Sequence, residues 1–490
     1  MKKSMRNSQN KAFYQLENHR PSSRRDFLGQ MAGALATYTL APSLLSLLKQ
    51  NLLMAQEGAC GAGAEVMTGR VPVLILDLAG GANIAGSNVM VGGPGGQTDF
   101  LADYKKMGLP DSMLPSLPGQ LDNSMGLLFH NDSGIMRGIR ARANAAIRSR
   151  VDGIVFCADS NDDTGNNPHN PIYWLARAGA AGDLATLAGT RGSDSGGNST
   201  IPISSINPTL RPVQLNRPED ALNLINIGKL SELFPNNAKA ILRATEQMST
   251  RHLATFNQQT LPQQLKTLVE CGYIESQDII DRFTPGAVNA ALDPQVTSLF
   301  DVVNDASERR VATMVKLLLD GRLGAATVEK GGYDYHDQTR STGETRDFEV
   351  GSLIGKSMAL ASAKGKDLLI YVLTDGGVSA SRTVTDNSEG GRGKLVWTGD
   401  SGDTGATFML LYRHSGKPGL RSTNRQIGSF TSKGVLGGSS ILANSVTNLS
   451  KAIVANYLAL YGEEGRLAEV IGDNPFENNL DQYIRFDRNF

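Results

Sequence analysis

Cysteine is scarce in this chain of 490 residues: Cys60, Cys157 and Cys271 stand far apart. None of the spacings suits a cysteine metal site, which excludes zinc-ribbon and zinc-finger classes. Net charge is absent too, with 48 Lys/Arg against 48 Asp/Glu. Residues 1–64 carry eight basic and three acidic residues, leaving 40 against 45 in the remainder. A mildly acidic body without a basic stripe of interleaved aromatics is no general nucleic-acid binder. No internal repeat of fixed period and no low-complexity linker divides the chain. Glycine-rich stretches occur, Gly92-Gly93-Pro94-Gly95-Gly96 and Ser193–Ser199. Neither fits a P-loop or a dinucleotide fingerprint, so both read as ordinary loops. Histidine is limited to six residues.

What is present is a set of apolar runs that lead into carboxylates. Val73-Leu74-Ile75-Leu76 enters Asp77 with Gly80-Gly81 behind it, and Leu368–Leu373 leads to Asp375-Gly376-Gly377. Ile154–Cys157 leads to Asp159, and Ala325–Val328 leads to Gly331-Gly332 and then Asp334-Tyr335-His336. Uninterrupted runs of this length suit strands buried on both faces, as in a parallel sheet under helices. Ligands of such sheets bind outside the carboxyl ends of the strands, where these acids fall. Each acid alone also reads as a helix cap and each Gly-Gly as a turn. Together, hard oxygen donors and a histidine at one sheet edge suit a divalent metal.

The expected fold is one doubly wound, mostly parallel α/β domain over residues 65–490, with the sheet sandwiched by helices. From about 218 to 320 the pattern turns helical. Arg217-Pro218-Glu219-Asp220 reads as a helix start. Val311, Met314, Val315 and Leu318 give one apolar helix face. A strand is expected over Phe408–Tyr412 and a last helix over about Ser450 to Tyr461, stopping at Gly462.

Residues 1–64 read as a leader. Ser23-Arg24-Arg25-Asp26-Phe27-Leu28 resembles the twin-arginine export consensus, followed by a weakly apolar stretch from Gly29 to Leu48 and a cleavage-type Ala62-Gly63-Ala64. The expectation is periplasmic export of folded protein by the twin-arginine translocase, with tethering through an uncleaved signal left open. In that oxidising compartment Cys157 and Cys271 are either a pair or two buried thiols.

The leader, the first strand with its glycine loop, Tyr333-Asp334-Tyr335-His336 and Thr374-Asp375-Gly376-Gly377 occur in a familiar order. As an ordered set they resemble an uncharacterised family of twin-arginine-exported bacterial proteins within the alkaline phosphatase/sulfatase-like superfamily, over about residues 23 to 470. The resemblance implies an alkaline phosphatase-like sheet with metal ligands at its strand ends, and hydrolysis or transfer of phosphate or sulfate esters. By position it implies Asp77, Asp334, His336 and Asp375 as ligands of Zn, Mn, Mg or Ca. Active members usually carry histidine directly after the later acid, where this chain has Gly376. They also supply a histidine near the C-terminal end, for which only His414 stands here. Nucleophile candidates by location are Ser87, Ser160 and Thr164.

Among the remaining histidines, His252 reads as a surface residue and His130 as part of a turn before Asn131-Asp132. His169 closes a polar loop, Asp159–Pro168, that follows a buried strand, and is a candidate ligand or general acid. Calcium suits that loop's oxygen donors, but its spacing is not that of an EF-hand. Two readings follow. One is an exported metal-dependent hydrolase acting on a small ester. The other is a non-catalytic envelope protein that binds partners and keeps a degenerate site.

Overall fold

Val73-Leu74-Ile75-Leu76 forms the centre of the sheet, as strand β1 (Val73–Leu78), and all six of its side chains are buried. The computed structural model describes residues 70–158, 170–190, 212–221, 285–333, 340–374, 376–384, 391–438, 440–443 and 445–490. Residues 1–69, residues 222–284 of the expected helical insertion, and Cys271 lie outside these.

Twelve strands run in chain order among the described residues. They are β1, β2 (Leu121–Met125), β3 (Leu127–His130), β4 (Val151–Cys157), β5 (Ala185–Gly189), β6 (Val213–Gln214), β7 (Leu323–Lys330), β8 (Leu368–Thr374), β9 (Val378–Val384), β10 (Leu395–Asp400), β11 (Ala406–Tyr412) and β12 (Gln426–Ile427). Eight build the main sheet in the order β12-β4-β11-β8-β1-β7-β5-β6. The four strands whose apolar runs lead towards carboxylates share one direction, and β8, β1 and β7 are immediate neighbours with Val73 opposite both Ala325 and Leu369. Only β11 runs against the others, pairing antiparallel with β4 and β8. The sheet is therefore mixed and mostly parallel. Strands β2–β3 and β9–β10 form separate antiparallel hairpins.

Five helices matter to the site: α1 (Gly134–Arg142), α2 (Ile172–Arg177), α3 (Ala306–Leu319), α4 (Arg340–Lys364) and α5 (Val446–Ala459). Ser133, Asp305 and Ser445 cap α1, α3 and α5 by accepting from backbone N–H groups of the first turn. Val311, Met314, Val315 and Leu318 are buried along α3 as expected. Two boundaries differ from expectation. The helix expected over 450–461 begins at Val446, because Ser445 supplies the cap, and ends at Ala459. The expected helix start at Arg217 begins as a 3-10 turn, Pro218–Asp220, closed by Asp220 Oδ2 accepting from the N–H groups of Asn216 and Arg217, and passes into α-helix at Ala221, the last residue described there.

One face of the sheet, with Val73, Ile75, Ile154, Phe156, Tyr371 and Met409, shares a core with α2 and α5. Helices α3 and α4 belong to the opposite layer. Helix α4 carries the chain from β7 to β8 across β1, the long crossover that parallel strands require. At the amino end of β1, the Arg70 guanidinium lies 4.3 Å over the Tyr461 ring and bonds Glu463 at 2.6 Å. No helix among the described residues is long and apolar enough to cross a membrane.

Candidate functional site

Asp77 lies inside the ladder of β1, one residue before its end, rather than just past a shorter strand. No helix starts behind it, since the next regular element begins at Lys105, so the helix-cap reading fails for this acid. It is 4% exposed and follows the parity of Val73 and Ile75, on the face towards α2 and α5. Its register partners are Glu329 on β7 and Leu373 on β8. On the same face the buried Tyr371 phenol is pushed up by its burial, with a Thr407 hydrogen bond opposing and the Asp77 charge adding to the rise.

Glu329 is the residue the apolar pattern missed. The run of small and apolar residues stops at Val328, but β7 continues to Lys330. Counting alternate residues from Ala325 through Thr327 brings Glu329 to the face of Asp77. Two carboxylate positions thus stand side by side on strands about 4.8 Å apart. Hydroxyls and an amide line the same edge. Asn170 Nδ2 donates to Thr327 Oγ1 at 3.1 Å, and Glu329 N donates to Thr190 Oγ1 at 3.1 Å.

Asp334, His336, Asp375 and His169 lie outside the described residues, as do Asp159, Ser160 and Thr164. Their described sequence neighbours are held at this edge. Tyr333, fully buried, donates its N–H to Ala79 O at 3.1 Å, and its phenol donates to Arg346 O at 2.9 Å. Thr374 pairs in register with Leu78 and accepts the Ala82 N–H at 2.8 Å. Asn170, directly after His169, is fixed on Thr327, the register partner of Ile75.

The two glycine pairs meet. A Cβ on Gly81 would stand 2.9 Å from Asp400 Oδ1 and 3.3 Å from Gly377 O, so only glycine lets the loop after β1 come down on the β9–β10 hairpin and the loop after β8. The 92–96 loop is structural, as expected. Asp99 closes it by accepting from Gly93 and Gly95 N–H groups, and Gln426 binds Gly92 through both backbone groups.

Three sequence expectations need correction or refinement. Ser87 is fully buried, and its Oγ accepts from Arg340 Nη2 at 2.9 Å and from the Asn83 amide, so it is a structural acceptor and no nucleophile. His414 is exposed at the opposite edge of the sheet. It follows Tyr412, which pairs with the first residues of β8 and β4, because β11 is reversed. His130 is the buried last residue of β3 and also opens the expected turn, its carbonyl accepting from Ser133 N at 2.9 Å. Its Nδ1 accepts from Asp132 N at 3.1 Å and its Nε2 lies 3.0 Å from Met113 O, which selects the Nε2–H tautomer. Burial, then the Lys394 charge, lower its pKa to about 4. Cys157 is buried and unpaired.

Behind the β1 loop is a buried ionic cluster. Arg340 stacks 4.0 Å from the Trp397 ring centre and donates to Glu344 at 3.0 Å. Lys394 donates to Glu344 at 2.7 Å, and Arg137 does so at 2.8 Å. Burial works against the Glu344 charge, yet these cations, led by Lys394, hold its carboxyl down to about 2.

Among the described residues no group of three or more His, Cys, Asp or Glu is arranged to hold a metal. What they offer at the sheet edge is the Asp77–Glu329 pair, hard oxygen donors beside hydroxyls. That donor chemistry fits a hard divalent cation. No family model, no curated protein and no solved structure matches this chain.

Proposed function

We propose that the carboxyl edge around Asp77 is the divalent-cation site of an exported protein that hydrolyses phosphate or sulfate esters, alkaline phosphatase-like in plan. One observation carries the reading: Tyr333 and Thr374, the residues directly before Asp334 and Asp375, are both tied to the end of β1 just beyond Asp77. The acids that follow them in the sequence are the ones the resemblance implies as ligands. Asn170, the residue after His169 in the sequence, bonds Thr327 of the neighbouring strand β7. Asp77, Asp334, His336 and Asp375 would hold Zn, Mn, Mg or Ca, with Glu329 adjoining and His169 as ligand or general acid. A divalent cation bound there polarises an ester oxygen and offsets the charge that develops on it. The chain's own part is to keep the carboxylates together, since unneutralised they resist joint ionisation.

A second reading has support as well. The buried Ser87 removes one of three nucleophile candidates, and the remote His414 removes the ligand candidate near the C-terminal end. They favour a non-catalytic envelope protein that retains the cation site. Elemental analysis of protein recovered from the envelope, with turnover of aryl phosphate and aryl sulfate, separates the two. Bound metal with turnover, both lost in Asp77→Asn, supports the hydrolase. Metal without turnover supports the binding protein, and no metal in either protein ends the site proposal.

A further inference from the structure

Two carboxylates lie in the contact between α4 and α1. Glu344 and Asp347 stand one turn apart on α4, 4% and 3% exposed. The contact is lined with glycine from both helices. A Cβ on Gly134 would come within 2.6 Å of Asp347 Cβ, one on Gly138 within 2.2 Å of Phe348 O, and one on Gly351 within 2.0 Å of Ile135 O. With the backbones this close, water has no room to enter while the helices stay together.

The surrounding charges are divided unequally. Arg340 of α4, Lys394 of β10 and Arg137 of α1 all bond Glu344. Asp132, after β3, is occupied by Arg392, which donates to both its oxygens at 2.7 and 2.8 Å. His130, beside it, is held neutral. Tyr333, after β7, spends its phenol hydrogen on Arg346 O. Asp347 takes a hydrogen bond from an uncharged amide, Asn88 Nδ2, at 2.7 Å. Burial first, and then the charge of Glu344, push its carboxyl up to about 7, against the Asn88 bond and the more distant Arg340 and Lys394.

Asn88 is the hub of this contact. Its Nδ2 also donates to Asn83 O at 2.6 Å, while its Oδ1 accepts from Ser133 Oγ at 2.7 Å and Ile135 N at 3.1 Å. It therefore joins the loop after β1, the cap of α1 and the buried acid on α4.

We propose that Asp347 is a proton switch: neutral, it closes α4 on α1 through Asn88, and ionised, it opens that contact and releases the loop that follows Asp77. Opening exposes the carboxyl to water, where its pKa returns to about 3.9. Between that value and about 7 each opening releases a proton, so the opening equilibrium rises about tenfold per pH unit, and it levels off above about 7.

Hydrogen exchange of the full chain, corrected for intrinsic rates, reads this without metal or substrate and is independent of the proposed function. In peptides covering 134–142 and 340–351, protection in Asp347→Asn relative to wild type should grow about a hundredfold from pH 5 to pH 7, then stay flat. Glu344→Gln should move the levelling point to lower pH, since the neighbouring charge is gone. Equal pH responses in wild type and Asp347→Asn, or a levelling point unmoved by Glu344→Gln, would overturn the switch.

Discussion

Asp77 and Glu329 are register partners on adjacent parallel strands and share one face of the sheet. Lys330, the next residue, projects to the other face and bonds Glu349 at 2.7 Å. If the pair contributes to a cation site, Glu329→Gln should weaken Mn binding by about tenfold to a hundredfold, the range seen when a supporting group is lost. Lys330→Gln should leave binding unchanged. Calorimetric titration of both variants decides this, and equal affinities would remove Glu329 from the site.

Gly351 offers a second test. A methyl there meets the carbonyl oxygen of Ile135, a backbone atom that cannot swing away. Gly351→Ala should cost about 3 kcal/mol, at the upper end of overpacking penalties. Gly438, with open space around it, should accept alanine almost without change. Urea unfolding midpoints of the two variants should differ accordingly.

His130 sets an acid-side dependence. Its folded pKa of about 4 lies below the free value of 6.5, so the stability it contributes is complete above pH 6.5 and is lost as pH falls through 4. The cause is burial first and then the nearby Lys394 charge, both of which disfavour the imidazolium. Over the full range the loss is about 3 kcal/mol. His130→Gln should flatten that part of the unfolding profile. Asp347 acts in the opposite direction, its contribution falling as pH rises from about 4 to 7. The two effects are separable only by comparing the variants.

The proposed export signal makes its own prediction. Replacing Arg24 and Arg25 by lysine should leave precursor inside the cell, whereas undiminished recovery in the envelope would show that the pair does not direct export.

Much of the sheet was legible because four runs of apolar residues need cover on both faces, and in β1, β4, β7 and β8 they have it. The reversal of β11 was not legible, since Phe408–Tyr412 reads the same in either direction. Its direction follows from the β9–β10 hairpin that delivers the chain to it. Glu329 was hidden because a polar residue ends an apolar pattern before it ends a strand. Helix α4 was hidden for a related reason. Its buried stripe begins with Arg340, Glu344 and Asp347 and continues through Gly351, residues that a hydrophobic count assigns to the surface. Charge paired with charge, and glycine backed onto glycine, bury a helix face without apolar residues to announce it.

The place of β1 has a consequence for the order of events during synthesis. Val73 is made early, but its partners Ala325 and Leu369 come roughly 250 and 300 residues later. At typical ribosome speeds of 5–20 residues per second that separation is roughly 15 to 60 s. Throughout that time this largely apolar central strand has neither neighbour and is a target for chaperones or for other unfinished chains. A body built this way closes only near the end of translation, and slowing the ribosome within residues 285–374 should raise aggregation more than slowing it after Thr374.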